Sequence, residues 1–230
     1  MADTKGHLLP IYVLVDESYS MRNYVGQLND GIVSLYEELR ADPMTAAKIR
    51  LSVLGFSGEV IPRLALADLR KIKEPPKMAT RTTTNYHAVF TDLLTRIPDD
   101  VASLKQDGYL VHRPAVFFMS DGQPNDDNEA KNEDWMAARR RLTDKNHIRA
   151  APNIIAFGMG EVWAQTIVFV ATRPEFAYVA AEGSDVGASI TKFFVALTAS
   201  VVQSGQSLNS ASPELVVEKP EGFRMAIDLV

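Results

Sequence analysis

Short apolar runs alternate along the chain with segments in which apolar residues recur every three or four positions. β-strands are predicted for six runs, at residues 9–16, 49–56, 60–66, 115–119, 154–157 and 176–180. Helices are predicted from the three-to-four spacing at residues 25–39, 86–97, 99–107, 135–142 and 190–201. Strands that alternate with helices form βαβ units, so the pattern predicts a mostly parallel sheet with helices on both faces.

The predicted fold class is α/β, a doubly wound, Rossmann-like fold around a six-stranded sheet. Ser57-Gly58 leaves only a short turn between the second and third strands, which predicts a hairpin and one antiparallel edge strand. Pro62 in the third strand fits an edge position, because proline cannot donate a hydrogen bond to a neighbouring strand. We expect one domain at residues 8–203. Residues 204–230 form a tail that is either an extended segment lying on the domain or a flexible extension.

Oxygen-bearing side chains follow two of the predicted strands at the point where each strand ends. The first strand runs into Asp16, Ser18 and Ser20, and the fourth runs into Ser120 and Asp121. In a doubly wound sheet with strand order 3-2-1-4-5-6 the first and fourth strands are neighbours, and ligands bind in the crevice beyond their carboxyl ends. Because adjacent strands lie about 4.8 Å apart, the two carboxylates and the hydroxyls between them can surround one ion.

A third oxygen-bearing loop, Thr82-Thr83-Thr84, opens the second predicted helix, which has Thr84 or Asn85 as its N-terminal cap. Oxygen ligands without Cys or His suit a small hard cation, Mg²⁺ first, with Mn²⁺ and Ca²⁺ as alternatives. The candidate ligands are Asp16, Ser18, Ser20, Thr84 and Asp121. Two carboxylates just neutralise a divalent ion. If the three hydroxyls are direct ligands and the carboxylates act partly through water, the ion keeps much of its electrophilicity, and a coordination position left open would then favour an incoming Asp or Glu from a partner protein.

These three motifs, in this order, resemble the metal-ion-dependent adhesion site of von Willebrand factor A-type domains. The matching residues are Asp16-x-Ser18-x-Ser20, a threonine that opens a later helix, and Ser120-Asp121-Gly122-x-Pro124. The resemblance covers residues 8–203, most of the chain. It implies a binding module without catalytic residues, in which a bound metal ion captures an acidic side chain of a protein partner.

The chain departs from the family pattern in two places. Tyr19 stands where glycine is usual between the two serines, so this loop is stiffer or offers an aromatic contact to a partner. Arg81-Thr82 or Thr82-Thr83 stands in place of the usual Gly-Gly before the threonine. Aligning residues 85–89 with the family's helix start selects Thr84 as the ligand, with Thr83 as the alternative.

Two further segments, Leu9–Asp16 and Phe193–Val201, resemble the stand-alone bacterial members of this superfamily of the tellurium-resistance type. That resemblance implies a non-enzymatic cytoplasmic scaffold in a stress or tellurium-resistance system. The alternative is a metal-dependent phosphohydrolase or phosphotransferase. Such enzymes that use an aspartyl nucleophile require a second Asp two residues after the first, and this chain has Ser18 at that position. A third interpretation, an interaction protein with a purely structural metal site, is left open by the sequence.

Composition narrows the classes of partner and compartment. The 230 residues are 46% apolar, which is ample for a core, and the net charge of −5 argues against nucleic acid as the main partner. The lack of cysteine excludes disulfides, thiolate metal sites and cysteine nucleophiles. The chain shows no secretion signal, and no apolar run approaches the roughly 18 residues of a membrane span. We therefore expect a cytoplasmic protein without a membrane partner, in an oligomeric state that the sequence leaves open.

Two other features have an ordinary explanation beside a functional one. Gly158-Met159-Gly160 follows a strand and suggests a nucleotide loop, but it lacks a third glycine and is better interpreted as a strand-to-helix turn. A cluster of acidic residues beyond Asp121 is either a solvated loop and helix start or a rim that selects partners. Its members are Asp126, Asp127, Glu129, Glu133 and Asp134.

Overall fold

The computed structural model describes residues 5–124 and 129–230, and the side chains of all of these except 129–133. The strands are β1 (His7–Asp16), β2 (Ile49–Phe56), β3 (Val60–Asp68), β4 (Leu110–Val111), β5 (Ala115–Ser120), β6 (Asn153–Gly158), β7 (Ala177–Ala180) and β8 (Phe223–Met225). The helices are α1 (Val25–Ala41), α2 (Pro43–Lys48), α3 (Tyr86–Gln106), α4 (Glu129–Thr143), α5 (Ala164–Val170) and α6 (Val186–Ser207). Short 3₁₀ helices lie at Tyr19–Tyr24, Leu69–Lys71, Pro174–Phe176 and Ala226–Leu229.

The sheet has the order β3-β2-β1-β5-β6-β7-β8, with β4 paired to the start of β1. Its central strands are parallel, and β3 and β8 are antiparallel to their neighbours at the two edges. This arrangement confirms the predicted fold class. All six predicted strands are present in the predicted order, and β4 and β8 add to them. The sheet consequently has a second antiparallel edge that the sequence pattern did not predict.

Both faces of the sheet are covered, which explains why its central strands are apolar without interruption. Along β1, Ile11 and Val13 point into a core shared with α1 and α6. Tyr12 and Leu14 point into a second core shared with α3, α4 and α5. The first exposed side chains after β1 are therefore those of Tyr19 and Ser20, beyond the buried start of the polar motif.

The predicted break between a helix at 86–97 and a second at 99–107 is wrong, because α3 is one helix with Pro98 inside it. Proline removes one helical hydrogen bond. Packing against the sheet compensates, since Ile97 and Val101 are buried on either side of the proline. The Tyr12 hydroxyl of β1 also donates to Asp100 at 2.9 Å.

Asp42-Pro43 ends α1 as predicted, and it also starts α2, which the sequence analysis did not predict. The Asp42 carboxylate accepts hydrogen bonds from the backbone N–H groups of Met44 at 3.0 Å and Thr45 at 3.4 Å. Pro43 occupies the first turn, where a missing N–H costs nothing. The same two residues thus act as a stop signal and a start signal.

The expectation that no apolar segment approaches membrane length needs correction. Within the described residues one helix, α6, is long and apolar enough to cross a membrane, with 22 residues and a mean hydropathy of 1.4 in its most apolar stretch. Its apolar face packs on α1, where Phe194 lies so close to Gly31 that a Cβ there would meet the ring at 2.1 Å. Within the most apolar stretch of α6, 56% of the residues are buried, and this burial accounts for its composition.

Residues 208–230 run back over the domain and complete one edge of its sheet. Their backbone is held along α6, where the hydroxyls of Ser200 and Ser204 accept hydrogen bonds from the N–H groups of Glu218 and Val216, each at 2.9 Å. The chain then pairs with β7 as β8, and Phe223 enters the core. In the structure this tail therefore covers the open side of β7.

A buried ion pair at the end of β3 gives a prediction on pH dependence. Asp68 and Arg50 approach to 3.5 Å with side chains exposed by 8% and 7%, and Arg70 adds a second partner at 2.6 Å. Hydrogen bonds from Arg70, with the charge of Arg50, lower the pKa of Asp68 below its ordinary 3.8. We expect Asp68→Asn to cost about 3 kcal/mol of unfolding free energy at pH 7, because it leaves Arg50 buried without its partner.

The sign of the pH effect follows from the lowered pKa. A carboxyl group with a lower pKa in the folded state stabilises the protein above its unfolded pKa and loses that effect as the pH falls through its folded pKa. Urea unfolding of the wild type and Asp68→Asn should therefore show a difference that is constant above about pH 5 and shrinks below pH 4. A difference that stays constant down to pH 2 would contradict the ion-pair explanation.

Candidate metal centre

The first polar loop begins where β1 ends, at the fully buried side chain of Asp16. One carboxylate oxygen, Oδ1, accepts the backbone N–H of Ser18 at 2.8 Å, a bond that bends the chain into a tight turn. The other, Oδ2, accepts the hydroxyl of Ser120 at 2.6 Å. Because Ser120 ends the neighbouring strand β5, this second bond joins the two strand ends that the sequence analysis placed side by side.

The hydroxyls of the first loop reach the second carboxylate of the predicted site. Ser20 Oγ donates to Asp121 Oδ1 at 2.8 Å, and Ser18 Oγ lies 2.9 Å from Ser20 Oγ. Asp16 joins this group through Ser18 and Ser120. The structure thus brings Asp16, Ser18, Ser20 and Asp121 together at the carboxyl ends of β1 and β5.

The third loop contributes Thr84, whose buried side chain lines the same cavity as the serines and Asp121. Its Oγ1 lies 4.0 Å from the point that a Cβ on Gly122 would occupy. Thr83 faces the β2–β3 hairpin instead, and its backbone N–H and C=O both bond to Ser57 Oγ, at 3.0 Å and 2.6 Å. Of the two alternatives that the sequence left open, Thr84 is the one that lies at the site.

The start of α3 fixes Thr84 relative to the Asp121 loop. Asn85 caps the helix by accepting the N–H of Ala88 at 3.0 Å, which selects it over Thr84 as the N-terminal cap. The buried Tyr86 hydroxyl donates to the backbone carbonyl of Gly122 at 3.1 Å. This bond links the helix start to the residue directly after Asp121.

The cluster has a deficit of positive charge. Among the described residues, no Lys, Arg or His forms an ion pair with Asp16 or Asp121. Burial, with a smaller contribution from the charge of Asp121, raises the pKa of Asp16 to about 7 even though hydrogen bonds from Ser120 and Ser18 lower it. Burial also raises the pKa of Asp121 above its ordinary value. A cation placed among these oxygens would stabilise both carboxylates in their charged form.

The donor set fits a hard divalent ion. Two carboxylates and the three hydroxyls of Ser18, Ser20 and Thr84 are all oxygen donors, the class that Mg²⁺ and its relatives prefer. The described residues contain no group of three or more His, Cys, Asp or Glu side chains that could hold a metal. A metal at this crevice would therefore have the two carboxylates and otherwise hydroxyl ligands and water, and where a carboxylate acts through water much of the ion's charge stays available to a further ligand.

Glu17 is the residue of this region that the sequence analysis missed. Its fully buried carboxylate accepts two hydrogen bonds from Arg63 of β3, at 2.9 Å and 2.7 Å, and one from the backbone N–H of Ala79 at 2.9 Å. Its backbone carbonyl accepts the N–H of Arg81 at 2.6 Å. Glu17 thus ties the segment that leads to Thr84 onto the end of β1.

Gly55 of β2 gives the signal that could have pointed to this arrangement. A Cβ at Gly55 would lie 2.3 Å from the Glu17 carboxyl carbon, so the carboxylate occupies the space that any other side chain would fill. A glycine in the middle of an apolar strand often marks such a close approach. The acidic cluster beyond Asp121 gives no comparable information: Asp126 and Asp127 and the side chains of Glu129 and Glu133 lie outside the described residues.

A cavity of about 830 Å³ opens above the cluster. Its floor contains Ser18, Ser20, Thr84 and Asp121, and its walls include the aromatic residues Tyr19, Tyr24 and Trp163 with Glu161 and Val186. The cavity is far larger than one ion. The arrangement can therefore admit a group from another molecule to a metal bound at its floor.

No protein-family model and no curated protein sequence match the chain, but solved structures resemble its fold. Proximal thread matrix protein 1 from the mussel byssus, in a structure with a zinc-occupied MIDAS motif, has a TM-score of 0.59 and 12% identity over 87% of this chain. The pilus adhesin SpaC from Lactobacillus rhamnosus GG has a TM-score of 0.63 and 10% identity over 86%. A von Willebrand factor type A protein from Catenulispora acidiphila has a TM-score of 0.52 and 11% identity over 85%.

This chain spans only part of each of these proteins, 49% of the mussel protein, 30% of the adhesin and 43% of the Catenulispora protein. The similarity therefore concerns one part of each longer chain. At these low identities it concerns the fold and not the activity. Together with the strand order and the helices on both faces, it shows that the chain has the fold of a von Willebrand factor A-type domain.

Proposed function

We propose that this protein is a binding module that uses a divalent metal ion to capture an Asp or Glu side chain of a protein partner. The observation that carries the proposal is the hydrogen-bonded cluster at the floor of the cavity. It joins the carboxylates of Asp16 and Asp121 through hydroxyls, with no cationic partner among the described residues. Such a cluster is suited to hold a cation and to present it to a third carboxylate.

The residues that would hold the ion are those at the cavity floor together with the buried Asp16, which is bonded to Ser18. Ser18, Ser20 and Thr84 would supply neutral hydroxyl oxygens, and Asp16 and Asp121 would bind directly or through water. The bound ion would supply the positive charge that attracts the partner's carboxylate. The zinc-occupied motif of the mussel protein supports a divalent ion. Within that class we propose Mg²⁺, with Mn²⁺ and Ca²⁺ as the alternatives.

The geometry favours this function over a metal-dependent phosphohydrolase or phosphotransferase. A nucleophilic aspartate needs an oxygen that is free to attack phosphorus. Both oxygens of Asp16 already accept hydrogen bonds, and its side chain is fully buried. An assay of generic phosphate esters with Mg²⁺ should accordingly show no turnover that Asp16→Asn removes.

Two finer parts of the proposal rest on the sequence. The role in a bacterial stress or tellurium-resistance system is supported by the resemblance of Leu9–Asp16 and Phe193–Val201. These segments belong to β1 and α6, whose residues are mostly buried in the core. The resemblance therefore concerns the core of the fold and not a surface that binds a partner. This role and the cytoplasmic location stay predictions.

A capped peptide with one acidic residue tests the proposed function. We expect Ac-Gly-Gly-Asp-Gly-Gly-NH₂ to shift the amide NMR signals of Ser18 and Ser20 with a Kd of about 1–10 mM in saturating Mg²⁺. Chelator should abolish the shifts, and the Asn version of the peptide should produce none. Thr84→Val, which removes only a hydroxyl from the threonine shape, should weaken peptide binding, whereas Thr84→Ser should retain it.

Three outcomes would oppose the proposal. Binding of the Asp peptide that persists in chelator would show that no metal is involved. Equal binding of the Asn peptide would remove the role of the carboxylate. Saturation by Mg²⁺ without any response to the Asp peptide would favour a purely structural ion.

A further inference from the structure

Two exposed aromatic rings stand at the rim of the cavity above the candidate metal centre. The side chain of Tyr19 is 61% exposed and that of Trp163 is 69% exposed, and both line this one cavity. Tyr and Trp are enriched at protein interfaces and are among the residues most often found at binding hot spots. No ligand role in the cluster accounts for either ring.

Tyr19 is held in place before any partner arrives. It lies between Ser18 and Ser20, whose hydroxyls are bonded to each other and to Asp121. The guanidinium carbon of Arg22 lies 4.1 Å from the centre of the Tyr19 ring and covers one of its faces. A cation–π contact of this kind orders the ring, so less conformational entropy is lost when the other face binds.

Trp163 is also fixed relative to the metal centre, through the turn between β6 and α5. The backbone N–H of Met159 donates to the backbone carbonyl of Ser120 and that of Glu161 to the backbone carbonyl of Asp121, each at 3.1 Å. Gly160 has a φ of +64°, and a Cβ there would lie 3.0 Å from the Asp121 carbonyl, so glycine permits this close approach. The predicted strand-to-helix turn at 158–160 therefore has a second role, because it carries Trp163 at the start of α5.

We propose that the partner's acidic residue is flanked by a large apolar side chain, such as Leu, Ile, Met or Phe, which packs between Tyr19 and Trp163. This inference rests on the proposed function. The cavity volume of about 830 Å³ leaves room for more than a carboxylate, and Tyr24 and Val186 add apolar surface to its walls. Glu161 at the same rim disfavours a second acidic group, so the partner segment carries one acid among apolar neighbours.

Peptides that differ only beside the aspartate test this inference. In saturating Mg²⁺ we expect Ac-Gly-Leu-Asp-Leu-Gly-NH₂ to bind about tenfold tighter than Ac-Gly-Gly-Asp-Gly-Gly-NH₂. The chain has two tryptophans, of which Trp135 is buried and Trp163 is exposed, so the two indole N–H signals distinguish rim contact from a global change. Only the Trp163 signal should move more with the leucine peptide.

Variants then assign the preference to the two rings, with the Ser18 and Ser20 amides as reporters. Trp163→Ala and Tyr19→Ala should each reduce the leucine preference to about threefold or less, and Trp163→Ala should leave binding of the glycine peptide unchanged. Phe169→Ala is the matched control, since Phe169 is an exposed aromatic residue of the same helix that does not line the cavity. It should keep the full preference.

The outcomes separate this inference from the function on which it rests. Equal affinity of the two Asp peptides for the wild type, or a preference that survives Trp163→Ala and Tyr19→Ala, would overturn the inference and leave metal-dependent capture intact. Loss of Mg²⁺ dependence for both peptides would instead overturn the proposed function. Binding of Ac-Gly-Leu-Asn-Leu-Gly-NH₂ as tight as that of its Asp counterpart would contradict both.

Discussion

Magnesium at a hundredfold excess over its Kd is expected to raise the free energy of unfolding by about 2.7 kcal/mol, because the ion binds the folded cluster and not the unfolded chain. Asp16→Asn should abolish this response. The amide keeps the size of the side chain and can still accept the N–H of Ser18, but it lacks the charge that holds a cation. Urea unfolding with Mg²⁺ and with chelator measures the difference directly.

The same variant should behave differently when no metal is present. Asp16 is a buried carboxyl with a pKa raised to about 7, close to the charge of Asp121, so its ionised form costs stability in the metal-free protein. We therefore expect Asp16→Asn in chelator to be at least as stable as the wild type at pH 7.5. The wild type would then be the more stable protein in Mg²⁺ but not in chelator. Such a reversal is expected of a residue that binds the metal and that folding alone does not require.

Asp30→Asn provides the matched control, because Asp30 is an exposed carboxylate of α1 outside the cavity. It should keep the full response to Mg²⁺. Equal responses of the wild type and Asp16→Asn would show that the ion binds elsewhere. No response of the wild type at millimolar Mg²⁺ would argue against a magnesium site altogether.

Breaking the Glu17–Arg63 pair is expected to have the largest effect on stability. Arg63→Met leaves the fully buried Glu17 carboxylate with only the N–H of Ala79 as partner. Removing one partner of a buried ion pair typically costs about 3–5 kcal/mol, and we expect that range for Arg63→Met and for Glu17→Gln. Arg81→Met, which removes an exposed pair with Glu59, should cost less than about 1 kcal/mol.

A double-mutant cycle separates the pair from the individual side chains. If Glu17 and Arg63 stabilise the fold through each other, Glu17→Gln combined with Arg63→Met should cost much less than the sum of the single variants. Additive costs would mean that each acts independently. Glu17→Gln should also weaken Mg²⁺ affinity by about tenfold at temperatures where it remains folded, because the Glu17 carboxylate holds the backbone of Ala79, in the segment before Thr84.

The sequence predicted the parts of the site that depend on strand order. Asp16 and Asp121 each follow an uninterrupted apolar run, and a doubly wound sheet places the ends of those runs side by side. Strand order alone does not distinguish Thr84 from Thr83 as the candidate ligand. The two threonines are adjacent at the start of α3 and differ in the direction that they face. In the structure the buried side chain of Thr84 lines the cavity, whereas the backbone of Thr83 bonds to Ser57.

Other features could not be predicted because they depend on partners distant in the sequence. Glu17 has the pattern of a spacer between two ligands, and its role appears only when Arg63 and Ala79 are folded against it. Pro98 has the pattern of a helix break, yet burial of its neighbours outweighs one missing hydrogen bond. β8 has only three residues, too few for a periodic signal, and it exists because β7 offers it an open edge.

The central claim is that one divalent ion binds where β1 and β5 end. Anomalous diffraction from a crystal soaked in Mn²⁺, with the cavity open to solvent in the lattice, tests it most directly. The account predicts a single strong peak at the cavity floor, roughly 2.1 Å from the hydroxyl oxygens of Ser18 and Ser20 and adjacent to Asp16, Thr84 and Asp121. An empty floor at saturating Mn²⁺, or a peak bound only by other residues, would contradict it.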